Sequence, residues 1–237
     1  MKPFYRHFAN SILLPAVGAY YASPVKKQIN FLKKSQWWSQ DNLERYQKIK
    51  FKKLLKNAYD NVPYYHNILK EKKLYPSDFK EIKDLEKLPI MNKQTVRDNF
   101  NQLINKSYAQ RAFQNRTGGT TGKPLRYLVT NRSNAQSFAN KIRAFSWGGM
   151  EYGDKFATLG GSSIIPGNNS FKSQARPLFE RNLALSAVHM SRENLKSYTK
   201  KLQSFKPDFL RGYPTAIYTM AKYISEEAVE PIKFKSV

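Results

Sequence analysis

"RTGGTTGKP", Arg116–Pro124, places three glycines, three threonines and a lysine within nine residues. Glycines at that density let backbone N–H groups converge on an anion, and the hydroxyls of Thr117, Thr120 and Thr121 add donors. Lys123 supplies a positive charge suited to phosphate. On either side, Tyr108–Gln114 and Leu125–Thr130 read as strands, the second alternating Leu125, Tyr127 and Val129 against Arg126, Leu128 and Thr130. The glycines therefore sit at a hairpin tip. A Walker-type loop is excluded on spacing, because Thr117 stands where it needs its first glycine and Pro124 where it needs Ser or Thr. The dinucleotide fingerprint fails as well, since Gly118, Gly119 and Gly122 do not give its spacing and a strand follows instead of a helix. An ordinary glycine-rich hairpin remains the competing reading.

Downstream of the hairpin the chain alternates. Asn131–Phe145 reads as a helix, and "DKFATLGG" as a strand running into a glycine turn. Ser191 caps a helix carrying Leu195, Tyr198, Leu202 and Phe205, which Pro207 ends. "FLRGYP" is a short strand and turn, Pro214 opens a last helix, and "EPIKFKSV" begins another strand. Upstream the texture is helical. Asp41–Asp60 has helical spacing with Asp41 and Glu44 as a capping box, and Pro63 stops it. A short helix follows over His66–Lys73, and Asn92 caps another over Lys93–Ile104. The expected fold is α/β: a helical N-terminal region, 1–105, packing on a main domain, 106–237.

The chain has 237 residues, 41% of them hydrophobic, with fifteen Tyr, fifteen Phe and three Trp, which allows a real core and excludes wholesale disorder. It has no cysteine, which rules out disulfides, thiol nucleophiles and Cys-type zinc sites, and suits a reducing, cytoplasmic setting. The net charge of +24 raises nucleic acid or an anionic membrane surface as partners. The excess is spread evenly, with 21 Lys/Arg against 9 Asp/Glu up to residue 110 and 20 against 8 after it. That pattern marks a generally lysine-rich protein more than a docking face. Near the start, the apolar patch Ile12–Tyr21 is half the length of a membrane span and holds Pro15. It reads as a helix packing on the protein, with peripheral membrane contact or a signal peptide as alternatives. His7, His66 and His189 are isolated, and Lys52, Lys53 and Lys56 form one solvated helix face.

"RTGGTTGKPL" resembles the phosphate-binding signature of the adenylate-forming superfamily, which activates carboxylates with ATP. The words "NAYDNVPYYHNIL" (57–69), "LEKLPIMNKQTVRDNF" (85–100), "LSAVHMSRENLKSY" (185–198) and "FKPDFLRGYPTAIYTMAKYI" (205–224) narrow the resemblance to phenylacetate–CoA ligases and CapK-type proteins of capsular polysaccharide loci. The resemblance implies that Thr117, Gly118, Gly119, Thr120, Thr121, Gly122 and Lys123 close over the β- and γ-phosphates of ATP. Gly118 departs from the family, where serine is common. Tyr213 and Pro214 fall near the family's acyl pocket, which Trp147 would help line; core packing is the alternative for Trp147 and Tyr213. A carboxylate would be activated as its acyl-adenylate and passed to an unidentified acyl acceptor.

The family's adenine and magnesium segment, ribose-binding aspartate and C-terminal lid with its lysine do not occur in the sequence. The expectation is an adenylate-forming domain truncated at its C-terminus and inactive alone, with a separately encoded C-terminal half as a candidate partner. ATP is the expected cofactor, and magnesium is expected from the family. The alternative is a basic protein that binds nucleic acid or a membrane surface.

Overall fold

The structure is a computed structural model that describes residues 2–117, 123–161 and 181–237. It divides into two compact units interleaved along the chain: residues 1–20, 24–29 and 138–237 in the first, 21–23 and 30–137 in the second. Helix and sheet are mixed, and among the described residues strands begin only at Ala112.

The first unit is built on a parallel sheet of three strands, β3 (Phe156–Gly160), β4 (Asn182–Ser186) and β5 (Phe209–Gly212), in the order β4-β3-β5. The central strand, "FATLG", is buried at all five residues, as a run without polar alternation should be when both faces are covered. Between β4 and β5 runs the helix α8 (Arg192–Phe205). The Ser191 hydroxyl accepts from the Asn194 N–H to open it. Leu195, Tyr198, Thr199 and Leu202 are its buried stripe. It ends where Lys206 adopts φ 50, just ahead of Pro207. A second helix, α9 (Pro214–Glu226), follows β5 and buries Ala216, Met220 and Tyr223. Both helices meet Ala157, Leu159, Leu185 and Leu210 of the sheet in one core. No strand forms over the expected C-terminal stretch, where a single isolated parallel bridge joins Ser236 to Phe209.

The N-terminal helical run belongs to the same unit and packs on it. It comprises α1 (Lys2–Phe8), a π-helical turn (Ala9–Leu13) and α2 (Leu14–Tyr20). Pro15 does not break the run. Proline has no N–H and clashes with the carbonyl four residues back, and the wider π turn immediately before it accommodates both. Arg6 clamps the helix through a bidentate ion pair to Asp154, Nε to Oδ1 at 2.6 Å and Nη2 to Oδ2 at 2.8 Å. That hydrogen bond, with the charge of Asp154, raises the Arg6 pKa above its ordinary value against the opposing pull of burial. Below it, a Cβ on Gly153 would stand 2.9 Å from the Ala9 Cβ, so the close approach requires glycine. Among the described residues, no helix is long and apolar enough to cross a membrane.

The second unit is helical apart from one hairpin. The long helix α4 (Gln40–Asn61) and α5 (Pro63–Glu71) enclose Phe51, Leu55, Leu69 and Phe79. Pro63 does end α4, but it also occupies the first position of α5, where its missing N–H has no partner to lose. The capping box expected at Asp41 is not formed: the helix starts one residue earlier behind Ser39, and Glu44 instead accepts from Gln40. The helix after Asn92, α6, covers only Lys93–Asp98, with the Asn92 side chain accepting from the Thr95 N–H at 2.8 Å. Two further helices, α3 (Val25–Ser35) and α7 (Asn131–Phe145), each carry residues of both units.

Candidate functional site

In sequence the glycine stretch joins two strands, β1 (Ala112–Arg116) and β2 (Arg126–Thr130), which pair as an antiparallel hairpin in the register Ala112↔Thr130 to Arg116↔Arg126. The first strand begins later than its sequence suggests. Asn105 accepts from the Ser107 N–H and a 3-10 turn over Ala109–Arg111 precedes it. Thr117 closes the base of the tip. Its N–H donates to the Leu125 carbonyl at 2.9 Å, and its hydroxyl oxygen accepts from the Leu125 N–H at 3.0 Å. The hydroxyl proton is thereby left to donate elsewhere. Gly118, Gly119, Thr120, Thr121 and Gly122 lie outside the described residues.

Lys123, at the other end of the tip, is exposed, and its carbonyl accepts from Arg97 Nη2 at 2.8 Å. Arg97 comes from α6, 26 residues earlier, and braces the loop from outside the motif. Around it lies a cleft of about 310 Å³ lined by Arg97, Arg116, Lys123 and Arg126, with Val96, Phe100, Pro124 and Leu125. Half of these lining residues are cations and none is acidic, which makes the cleft a receiver of anions. Sequence reading singled out Lys123 and missed its three arginines. Arg116 and Arg126 were legible in principle, since hairpin register sets them opposite one another, but nothing local points to Arg97.

The other expected site residues lie in the first unit. In an open parallel sheet the strand carboxyl ends are where ligands bind. Tyr213 and Pro214 form the turn at that end of β5. The Tyr213 N–H donates to the Leu159 carbonyl at 3.2 Å, and Pro214 opens α9. Gly212 allows the crossing, because a Cβ there would meet the Leu159 carbonyl oxygen at 2.6 Å. The Tyr213 ring is 52% exposed, and its hydroxyl is 3.5 Å from where a Cβ on Gly161 would lie, beyond the end of β3. Trp147 is 68% exposed on a 3-10 turn, with the Arg143 guanidinium 4.8 Å from its ring centroid. Neither aromatic is a core residue, so the packing alternative raised from sequence does not describe them. The isolated histidines remain apart: His7 and His189 are exposed, and His66 Nδ1 meets the Tyr59 carbonyl at 3.1 Å. Among the described residues no cluster of three or more His, Asp or Glu could hold a metal ion.

No protein-family model matches the chain. Individual relatives do. The chain is 31% identical over 177 residues to protein CapK of Staphylococcus aureus, covering 72% of this chain and 38% of that protein. It is 26% identical over 199 residues to the phenylacetate–coenzyme A ligase of Pseudomonas putida, covering 83% and 44%. Among solved structures, 2-hydroxyisobutyryl-CoA ligase in complex with 2-HIB-AMP and CoA superposes with a TM-score of 0.60 at 21% identity, over 84% of this chain and 43% of that one. At that identity the superposition speaks for the fold. The chain spans about two fifths of the length of the relatives it matches. Over most of its length, then, this chain is related to CapK and the phenylacetate–CoA ligases of the adenylate-forming superfamily, and its mixed helix-and-sheet fold matches the N-terminal portion of adenylate-forming ligases.

Proposed function

We propose that these residues provide the phosphate-handling part of an ATP-dependent ligase that activates a carboxylate as its acyl-adenylate, in the cytoplasm and in the service of capsular or surface polysaccharide assembly. The observation that carries this reading is the hairpin that holds Thr117 and Lys123 at the two ends of a glycine-threonine tip, with a cationic cleft beside it. In the reaction a carboxylate oxygen attacks the α-phosphorus of ATP, the bond to the bridging oxygen breaks, and pyrophosphate leaves. The tip and Lys123 would offset the negative charge that gathers on the β- and γ-phosphates, which is positioning and electrostatic stabilisation without proton transfer. Arg97 would hold the Lys123 backbone in place for that task. Tyr213 and Trp147, exposed in the first unit, would meet the acyl part of the substrate. The polysaccharide setting is supported by the similarity to CapK, and CoA as acceptor by the ligase relatives.

Adenine, ribose and magnesium contacts would come from the remaining three fifths of the relatives' length, so the 237 residues alone should not catalyse adenylation. A misplacement of about 1 Å already costs on the order of a hundredfold in rate. The test is carboxylate-dependent ATP–pyrophosphate exchange, measured on this chain alone and on a longer or complemented protein. In the latter, Lys123→Ala should slow exchange by about a hundredfold while leaving carboxylate affinity within about threefold. Normal exchange in that variant would remove the phosphate role from the loop.

A further inference from the structure

We propose that helix α4 of the second unit lays a basic face on an anionic lipid surface, with Trp37 as its interfacial anchor. The core side of α4 is Phe51 and Leu55. Arg45, Ile49, Lys52, Lys53 and Lys56 recur at helical spacing and share one exposed face about 17 Å long. Lys48 and Lys50 add to the charge, and no acidic residue occurs between Arg45 and Lys56. Among the described residues Lys56 pairs with Asp60 at 2.9 Å, whereas Arg45, Lys48, Lys52 and Lys53 pair with no carboxylate. Lys48, Lys52 and Lys56 follow one another at four-residue steps, where like charges repel and weaken a helix. A negatively charged surface outside the fold converts that repulsion to attraction.

Two apolar side chains choose the kind of surface. Ile49 stands among the cations and is 49% exposed. Trp37, in the turn that leads into α4, is 79% exposed, and its N–H donates to the Lys34 carbonyl at 3.2 Å. Its neighbour Trp38 packs edge-on against Phe31 and Tyr46, at 5.4 and 5.7 Å between ring centroids, so the aromatic cluster there takes one tryptophan and leaves the other in water. An acidic polymer would engage the cations and leave Ile49 exposed. A bilayer surface uses both, its headgroup phosphates meeting the lysines while Ile49 and the indole enter the acyl boundary. None of these residues belongs to the hairpin or its cleft, so the inference is independent of the ligase reading.

Co-sedimentation of the 237-residue chain with vesicles of phosphatidylcholine and about 30% phosphatidylserine, at about 0.15 M salt, tests this against phosphatidylcholine alone. Binding to the anionic vesicles should be at least about tenfold tighter. Arg45→Gln/Lys52→Gln/Lys53→Gln should weaken it by about a hundredfold. Lys196→Gln/Lys200→Gln/Lys201→Gln removes the same charge from exposed positions of α8 and should change binding by less than about threefold. Trp37→Ser should weaken binding by about tenfold and abolish the blue shift of tryptophan emission that the vesicles cause. Lys52→Arg/Lys53→Arg keeps the charge and should bind as wild type, which separates lost charge from a damaged fold. Equal losses from the α4 and α8 triple variants would overturn the proposal, because net charge alone would then drive binding. So would no preference for the anionic vesicles, or single-stranded DNA that binds more tightly than the vesicles and displaces them.

Discussion

β3 in the first unit and β1 in the second are both five-residue strands, yet β3 is buried at every residue and β1 at none. Strands flank "FATLG" on both edges and side chains of two clusters pack on the sheet, which is why its sequence shows no alternation. "AFQNR" pairs with a single partner and shows its polar groups to water. The contrast separates two tasks. A buried parallel sheet supplies a rigid frame whose loops gather at one end, whereas a two-stranded hairpin has fewer neighbours to restrain its strands.

Truncating the frame should cost far more than truncating the hairpin. Leu159→Ala, at a fully buried position of β3, should lower unfolding stability by about 2–5 kcal/mol, read from the urea midpoint. Phe113→Ala in β1, where the ring is 44% exposed, should cost less than about 1 kcal/mol. Equal losses would abolish the distinction. The ion pair that ties the N-terminal helix to the frame comes next. Arg6→Met leaves the Asp154 carboxylate buried with, among the described residues, only the Glu151 N–H still donating to it, a loss of roughly 2–3 kcal/mol. Arg6→Lys should recover part of it, and full recovery would show that charge matters there and the fork does not.

Gly212→Ala sharpens the same comparison at the turn that carries Tyr213. Its Cβ would press on backbone at Leu159, which cannot swing aside, so about 1–3 kcal/mol should be lost. Hydrogen exchange reads the contrast without substitution: amides of β1 and β2 should exchange on the order of a hundredfold faster than those of β3.

The smallest effect belongs to Asp84, on an exposed 3-10 turn of the second unit. The Lys87 ammonium, followed by the Glu81 and Lys80 N–H groups, holds its carboxyl at about 2, below the ordinary 3.8. A depressed carboxylate pKa stabilises the fold above the unfolded value and loses that contribution as pH falls through the folded one. The gap between wild type and Asp84→Asn should therefore be constant above about pH 4 and close between about pH 4 and 2. A gap that persisted to pH 2 would mean the charge on Asp84 does not act there.

The strand Asn182–Ser186 and the helix Val25–Ser35 were not read from the sequence, whereas the misplaced element ends had local causes. The helix after Asn92 stops at Asp98, not Ile104, because Asn99 turns its side-chain amide back onto the Thr95 carbonyl and the asparagines 99 and 101 favour turns in place of helix. The helix expected from Asp41 begins behind Ser39, since the serine's extended backbone turns the chain whether or not its hydroxyl bonds. Of the candidate site, the "GYP" turn was legible because proline fixes the backbone and glycine permits close approaches that other residues cannot make.

By itself the sequence determined the elements after the hairpin apart from β4, the helix starts at Ser191 and Pro214, and the placing of glycines and threonines between two short strands. Each depends on hydrogen bonds and dihedrals within a few residues, so composition and period carry the information. The tertiary structure alone decided that β3 lies between β4 and β5, that Arg6 meets Asp154 across 148 positions, and that Arg97 reaches the Lys123 carbonyl. Those partners are chosen by the packing of whole elements. An arginine on a helix looks the same in sequence whether it faces water, a carboxylate or the carbonyl of a distant lysine.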